Sequence, residues 1–321
     1  MKKCRKLLIV VWAALTMTTA IAADYPARPI RFIVPYGAGS GPDITARLFL
    51  ADFSRNLDQQ IVVDNRPGAG GSIGTEMIVK APPDGYTIGF GGISTFAINP
   101  NVLAKLPYDP DKDLIKVAQT YSNPGVLAVT LSLPIQSIKD LIDYAKKNPG
   151  KLSFGSSGNG TSSHLSGELL ALMTGVQLVH VPYKVPDQGI TDTIGGRLPL
   201  MFNNMGPMLP HVKSGRIRGL GVTSLKRSPA IPELPAIAET VPGFEVTVWG
   251  GIVVPAGVPK AVVARLNAAI NKALESPALK EKYAAIGYEL AGGTSAQFDA
   301  FVKKEIAKWA DVIKRSGAKF D

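Results

Sequence analysis

The chain has almost no cysteine: among its 321 residues only Cys4 occurs, close to the N-terminal end. A single cysteine cannot form an internal disulfide, and Cys4 precedes the first apolar run, so neither a disulfide framework nor thiol catalysis is expected. Histidine is also scarce. His164, His180 and His211 show no H-E-x-x-H or other ligand spacing. The sequence therefore indicates no metal site and no cofactor.

Long apolar runs and dense charge clusters are missing as well. Leu7–Leu15 is continuously apolar but too short to span a bilayer well. The formal net charge is +10, and it falls to +6 without Lys2, Lys3, Arg5 and Lys6. The remaining charge is scattered, with no basic run interleaved with aromatic residues, so nucleic acid is not expected as a partner. The 45% hydrophobic content is enough for a large core and two domains.

The N-terminal stretch has the pattern of an export signal. Its basic beginning runs into Leu7–Leu15 and then into the small-x-small motif Ala20-Ile21-Ala22. These features predict a signal peptide over residues 1–22, cleaved after Ala22 or Ala23. The mature protein is then expected in the periplasm.

The rest of the chain alternates short apolar runs with amphipathic stretches, which predicts an α/β fold. Prolines lie mostly between these elements, as expected of residues that interrupt regular structure. Strands are predicted at 30–34, 61–63, 87–90, 127–131, 153–155, 178–181, 200–203 and 220–223. Helices are predicted at 43–54, with Asp43 as N-cap, at 72–80, from Ser137 with Asp140 as a capping pair, and at 260–275, 278–286 and 295–316. A further helix is predicted after the strand at 153–155, with Leu165, Leu169 and Leu172 on one face.

Three glycine-rich segments carry the chemistry: Gly37–Gly41, Pro67–Gly74 and Gly155–His164. Glycines let the backbone approach a ligand closely, and successive N–H groups can point into one concavity. A helix that begins beside such a loop adds partial positive charge. An exported chain with these loops is expected to capture a small anion.

Enzymatic functions find little support in the sequence. Residues 70–74 match the G-x-S-x-G pattern around Ser72, but Asp64–Ala69 separates that serine from the preceding strand, whereas a nucleophile elbow places it at the strand end. The same glycines lack the G-x-G-x-x-G spacing of a dinucleotide site. An exported serine hydrolase that uses Ser72 is the alternative function, and a structural or adhesin-like protein is a further one.

Taken together, the motifs resemble the substrate-binding receptors of tripartite tricarboxylate transporters, the Bug-type periplasmic solute-binding proteins. The resemblance covers essentially the whole mature chain. It rests on YPARPIRFIVPY at 25–36, DNRPGAGGSIG at 64–74, PPDGYT at 82–87, INPNVLAKLPYDPDKD at 98–113, GSSGNGTSSHLSGELL at 155–170, VPYK at 181–184, GLGVTSLKRSPAIPELPAIAE at 219–239 and VPAGVPKAVVARLN at 254–267.

The resemblance implies a two-lobed, flytrap-like fold with two interlobe crossovers and the ligand in the cleft. Lobe 1 would comprise residues 24–119 plus 224–321, and lobe 2 residues 120–223. The ligand would be a small carboxylate: a dicarboxylate, tricarboxylate, acidic amino acid or aromatic acid. Such receptors lack catalytic residues and deliver the ligand to a membrane permease. A monomer is expected.

Ligand-binding residues carry over onto the matching segments of this chain. They are Tyr36, Gly37, Ala38, Gly39, Ser40, Asp43, Ser94, Thr95 and Trp249 in lobe 1, and Ser156, Ser157, Gly158, Gly160, Thr161, Ser163, His164 and Asn203 in lobe 2. For His164 a local hydrogen bond, and for Tyr36 and Trp249 a place in the cleft wall or the core, are alternatives. The ligand is expected to bridge the loops 36–43 and 156–164 and to draw the lobes together.

The chain departs from the family pattern at a few positions. Ser40 stands where a glycine is usual, and Val185 begins a segment where glycine and small residues are usual. Asn203 replaces the usual aspartate. Loss of an acid at 203 would favour a more negative or differently placed group on the ligand.

Overall fold

The computed structural model describes residues 25–103, 105–159, 161–183 and 186–316. The predicted signal peptide, Gly160 and Val185 lie outside these ranges. The fold is mixed α/β, as predicted. Its strands are β1 (Ile30–Val34), β2 (Ile61–Asn65), β3 (Thr87–Gly92), β4 (Leu114–Val129), β5 (Leu152–Ser156), β6 (Leu178–Pro182), β7 (Leu200–Asn204), β8 (Arg218–Val222), β9 (Thr247–Pro255) and β10 (Glu289–Leu290). Its helices are α1 (Gly41–Leu57), α2 (Ser72–Val79), α3 (Asn99–Val102), α4 (Ile138–Lys147), α5 (Ser162–Thr174), α6 (Pro186–Ile194), α7 (Met205–Lys213), α8 (Lys260–Leu274), α9 (Pro277–Ala285) and α10 (Ser295–Ser316).

One long strand, β4, joins two sheets. Residues 114–124 of β4 pair with β9, whereas residues 125–129 pair with β7 and β8. The first sheet runs β2-β1-β3-β9-β4 and the second runs β4-β7-β5-β6. Within them β1 is parallel to β2 and β3, and β5 is parallel to β6 and β7. The chain crosses between the sheets within β4 and returns after β8, which matches the predicted two-lobed architecture.

Apolar side chains explain where these strands form. Ile30, Phe32, Ile33 and Val34 of β1 are fully buried, as expected of a central parallel strand that is covered on both faces. Helix α8 covers one face by packing against α1 and β4. Helix α10 packs against β4 and also against α5, so it touches elements of both sheets. None of the described helices is long and apolar enough to cross a membrane.

Several elements differ from the sequence prediction. Strand β4 begins at Leu114, whereas the apolar run predicted a strand only from Leu127. Strand β9 was not predicted because its glycines weaken strand propensity. A side chain at Gly250 would collide with Phe90 on β3, so the close approach of these strands needs that glycine. Helices α6 and α7 were also not predicted.

The first helix begins earlier than predicted. Ser40, rather than Asp43, is its N-cap, and the Ser40 hydroxyl accepts a hydrogen bond from the backbone N–H of Asp43. The helix therefore starts at Gly41 and has Pro42 in its first turn, a position where proline's missing N–H costs nothing. By contrast, the predicted cap at Ser137 is confirmed, since its hydroxyl accepts from the backbone N–H of Asp140.

Candidate functional site

A cavity of about 390 Å³ lies where residues of the two sheets face each other. Its volume falls within the usual range for small-molecule sites. One wall comes from the segments after β2 and β3, and the other from the loop after β5 and the end of β7. The lining residues are Gly70, Ile93, Ser94, Ile98, Asn99, Val102, Ser157, Asn159, Thr161, Ser162, Ser163, Asn204 and Val248.

The N-terminus of α5 faces this cavity. Thr161 is its N-cap, and the Thr161 hydroxyl accepts a hydrogen bond from the backbone N–H of His164. The same hydroxyl donates to the carbonyl of Gly158 at 2.7 Å, which ties the cap to the preceding loop. Since the first backbone N–H groups of a helix have no intrahelical acceptor, this end of α5 favours a negatively charged group.

A chain of polar contacts fixes the loop before α5. The backbone N–H of Ser157 donates to the hydroxyl of Ser163 at 2.9 Å, and the Ser157 hydroxyl donates to Oδ1 of Asn203 at 3.0 Å. Ser163 and Thr161 share a further hydroxyl contact at 2.9 Å. Hydroxyl groups are thereby held on the cavity wall in fixed positions.

The opposite wall is built on an unusual turn. Residues Ser94–Ile98 form a single turn of π-helix directly after β3, a conformation that is often found at functional sites. This turn presents Ser94 and the apolar side chains of Ile93 and Ile98 to the cavity. Asn99 closes the wall, because its amide nitrogen donates to the carbonyl of Gly70 and to the hydroxyl of Ser72, each at 3.0 Å.

The cavity lining is neutral. Among the described residues it contains hydroxyl, amide and apolar side chains but no Asp, Glu, Lys, Arg or His. An anion in this cavity would therefore be held by hydrogen bonds and helix partial charges rather than by an ion pair.

A smaller compartment of about 10 Å³ adjoins the cavity and shares Ser162, Ser163, Asn204 and Val248 with it. Asn203 lines this compartment rather than the cavity itself. Its remaining lining residues are Asn123, Gly125, Ser166, Phe202, Thr223 and Val246. The compartment has room for about one water-sized atom.

Ser156 and His164 lie behind the loop rather than on its cavity side. Ser156 is fully buried, and its hydroxyl is 2.6 Å from Nε2 of His180. The rings of His180 and His164 are stacked with centroids 3.8 Å apart, and Nε2 of His164 lies 3.5 Å from a carboxylate oxygen of Glu168. Burial and the neighbouring His164 lower the pKa of His180 to about 4, although Glu168 opposes the change. This group supports the loop from within the core.

The first glycine-rich loop does not line the cavity. Gly37, Ala38 and Gly39 are exposed, and Asp43 is buried beneath them. Burial alone would raise the pKa of Asp43, but hydrogen bonds from Arg47, the Gly39 N–H and Asn65 outweigh it and hold the pKa below its usual value. The structure thus gives Asp43 the role of fixing the loop.

Three further predicted residues, Tyr36, Thr95 and Trp249, do not line the cavity. Burial raises the pKa of Tyr36, opposed by hydrogen bonds to Ser94 and Thr95. Thr95 is fully buried and bonds the backbone of Gly92. The indole N–H of Trp249 donates to Glu305 at 2.8 Å within the core, so for Trp249 the alternative of a place in the core describes the structure.

The structure therefore brings only part of the predicted set together. Ser94, Ser157, Thr161 and Ser163 line the cavity. The predicted residues that do not line it are Tyr36, Gly37, Ala38, Gly39, Ser40, Asp43, Thr95, Ser156, Gly158, His164, Asn203 and Trp249. Sequence reasoning missed the other lining residues: Gly70, Ile93, Ile98, Asn99, Val102, Asn159, Ser162, Asn204 and Val248. Of these, Gly70, Ile98, Asn99, Val102, Asn159 and Ser162 belong to motifs already noted, at 64–74, 98–113 and 155–170, and could have been found there.

The site does not have the arrangement of a serine hydrolase. Ser72 is buried, and its hydroxyl accepts from the amide of Asn99 rather than pairing with a histidine base. It also follows a 3₁₀ turn, Ala69–Gly71, and does not sit at a strand end. Within the described ranges, no group of three or more His, Cys, Asp or Glu side chains could hold a metal ion.

Comparison with known proteins gives consistent results. The model of the family described as "Tripartite tricarboxylate transporter family receptor" matches residues 45–318. Protein BugT of Bordetella pertussis is 36% identical over 302 residues, which cover 93% of this chain and 93% of BugT.

Solved structures agree with this match. A protein of R. palustris solved with adipate is 38% identical and superimposes with a TM-score of 0.77, covering 92% of this chain and 99% of that one. The MatC protein of Rhodopseudomonas palustris, solved with bound malate, is 28% identical with a TM-score of 0.72, covering 90% of this chain and 100% of that one.

Proposed function

The chain belongs to the tripartite tricarboxylate transporter family of receptors, and from this premise we propose that it captures a small carboxylate in the 390 Å³ cavity and delivers it to a membrane permease. The family and the neighbouring structures are solute-binding receptors and not enzymes, so the ligand is bound and released unchanged. The ligand class and the delivery step are the proposal.

The N-terminus of α5 is the observation that carries the proposal. It brings Thr161, Ser162 and Ser163 to the cavity wall, next to the hydroxyl of Ser157. Each hydrogen bond to a charged oxygen contributes about 1.5–3 kcal/mol net, so three of them account for much of a micromolar affinity, which is about 8 kcal/mol. A carboxylate fits this end of the cavity because it can accept from the first backbone N–H groups of α5, which have no intrahelical acceptor. The hydroxyls of Thr161 and Ser157 already donate to Gly158 and Asn203, so they hold the loop in place.

The rest of the lining indicates what the remainder of the ligand resembles. Ile93, Ile98, Val102 and Val248 add apolar surface that suits a hydrocarbon chain. Ser94 adds a hydroxyl from the turn after β3. A short dicarboxylate fits a lining that combines polar and apolar surface, and the adipate and malate of the two similar structures are molecules of this kind.

The proposal includes a movement of the two lobes relative to each other. Lobe 1 (24–119 plus 224–321) and lobe 2 (120–223) would rotate about the β4 crossover, and the exposed loop 37–39 would reach the ligand on closure. Monomeric state and cleavage after Ala22 or Ala23 stay predictions of the sequence. Intact-mass measurement of periplasmic protein tests the cleavage site.

A thermal-shift screen tests the ligand class. Adipate, malate, citrate, benzoate and L-glutamate are compared with adipamide and 1,6-hexanediol, which match adipate in length but carry no charge. A ligand at 100 times its dissociation constant stabilises the protein by about 2.7 kcal/mol, so a true ligand raises Tm by several degrees. No shift with any carboxylate, or an equal shift with adipamide, contradicts the proposal.

A further inference from the structure

The side-chain amide of Asn203 has a fixed orientation. Its Oδ1 accepts from the backbone N–H of Asn204 at 2.8 Å and from the Ser157 hydroxyl at 3.0 Å. Because a backbone N–H can only donate, the atom facing it must be the oxygen. The amide nitrogen of Asn203 therefore takes the other position.

That nitrogen has no hydrogen-bond partner among the residues that the structure describes. Asn203 is 3% exposed, and its Nδ2 is the buried side-chain atom that lacks a partner within the described parts of the chain. Leaving such a donor unsatisfied costs about 1–3 kcal/mol, and the great majority of buried polar groups are paired. An orphaned donor of this kind points to a group that binds there.

The surroundings of Asn203 indicate which group could bind to its Nδ2. Asn203 lines the 10 Å³ compartment, which adjoins the cavity through Ser163 and Asn204. The described lining of the compartment contains no titratable side chain. Two titratable side chains lie next to it: Tyr288 hydrogen-bonds to Asn123 of the lining, and His180 reaches the hydroxyl of Ser156, the residue before Ser157.

We propose that Asn203 is a specificity-determining residue whose Nδ2 donates to an acceptor oxygen of the ligand that enters this compartment. The inference rests on the proposed function and adds a selection rule to it. Ligands that place a carboxylate or hydroxyl oxygen at this point are accepted. Ligands that place an ammonium group there meet only a donor and are rejected, because two donors cannot pair.

The substitution Asn203→Asp tests the rule while keeping the shape of the side chain. One carboxylate oxygen keeps the contacts of Oδ1, and the other replaces the donor by an acceptor. Binding of the dicarboxylate with the largest thermal shift is measured by calorimetry at pH 8 and at pH 6. We expect at least tenfold weaker binding than wild type at pH 8. The affinity relative to wild type should recover at pH 6, since burial without a positively charged partner raises the pKa of the new carboxyl, against the two donors at Oδ1, and the protonated carboxyl donates again.

Asn159→Asp is the matched control. Asn159 lines the cavity but not the compartment, and it is exposed. Asn159→Asp introduces the same negative charge into the same site. Any loss of affinity in this variant therefore measures charge repulsion alone and should not recover at pH 6. A second comparison sets glutarate against L-glutamate, and Asn203→Asp should shift the preference toward the ammonium-bearing ligand at pH 8.

The outcomes separate this inference from the proposed function. If wild type binds no carboxylate, the proposed function fails. If wild type binds but Asn203→Asp at pH 8 binds equally well, or loses no more affinity than Asn159→Asp, the role of Asn203 is wrong and the receptor function stands. Preferential loss in Asn203→Asp with recovery at pH 6 supports the inference.

Discussion

The Thr161 side chain has two structural roles. Its hydroxyl caps α5 and lies on the cavity wall. Thr161→Ala should therefore lower the free energy of unfolding by about 1 kcal/mol through loss of the cap. Because the hydroxyl also ties the loop to α5 through the Gly158 carbonyl, its loss should weaken carboxylate binding about tenfold, or about 1.4 kcal/mol. Urea unfolding and calorimetry measure the two effects. Thr161→Ser keeps the hydroxyl and should retain both properties; an equal loss in both variants would contradict this role.

His180 makes stability depend on pH in a calculable direction. Its pKa falls from 6.5 to about 4 on folding, because burial and His164 disfavour the charged ring. Between these values the unfolded chain binds a proton that the folded protein does not. The free energy of unfolding is therefore highest above pH 6.5 and falls as the pH drops toward 4.

Urea unfolding at pH 6.5 and about pH 5, above the range where most carboxylates titrate, checks this prediction. His180→Asn should flatten the decline. Burial and Arg216 also lower the pKa of His211, so His211→Asn is measured alongside and should have a smaller effect. An unchanged slope in His180→Asn would exclude His180 as its source.

At the scale of elements, Glu305 joins α10 to β9. Its carboxylate accepts the indole N–H of Trp249 at 2.8 Å and that of Trp309 at 3.0 Å, and Glu305 itself is 2% exposed. Glu305→Ala leaves both buried donors without an acceptor, and each costs about 1–3 kcal/mol. We expect a loss of about 3 kcal/mol in urea unfolding.

The control for Glu305 lies on the same helix. Asp311 forms an ion pair with Arg315 at the surface, where such pairs contribute about 0–1 kcal/mol. Asp311→Ala should therefore change stability little. A comparable loss in Asp311→Ala would mean that α10 responds to any substitution and that the indole contacts are not special.

Elements with local patterns could be predicted from the sequence, whereas those fixed by distant partners could not. Strand β1 and helix α10 begin and end where their apolar periodicity places them. Strand β9 depends on Phe90 filling the space above Gly250, which the sequence alone does not reveal. The π-helical turn at 94–98 likewise depends on packing against α10.

The residues of the candidate site also divide into those with a local sequence pattern and those positioned by distant segments. Thr161 and Ser163 belong to a local glycine-rich helix start, and the sequence identified them. Asn204 and Val248 come to the cavity only because β7 and β9 lie beside β4, a pairing between distant segments. Trp249 follows Val248 on the strand, and because neighbouring side chains point to opposite faces, it enters the core instead.

At the scale of the whole molecule, ligand binding is expected to rotate the two sheets relative to each other. The cavity walls come from different sheets, and a ligand that touches both favours the arrangement in which they are closer. Helix α10 packs against elements of both, so it would have to adjust its contacts with α5 during closure.

Spin labels can follow this movement, because Cys4 is the chain's single cysteine and the predicted signal peptide contains it. Val62 on β2 and Val179 on β6 are 49% and 48% exposed, and their strands lie at opposite ends of the strand order. Labels at these positions should show a shifted distance when a thermal-shift ligand is added, with a smaller radius of gyration in solution scattering. A control pair, Val62 and Ile73, lies within the first sheet and its flanking helix and should not change. A ligand that binds while the Val62–Val179 distance stays constant would mean that the cavity is preformed, and the permease would then have to recognise something other than closure.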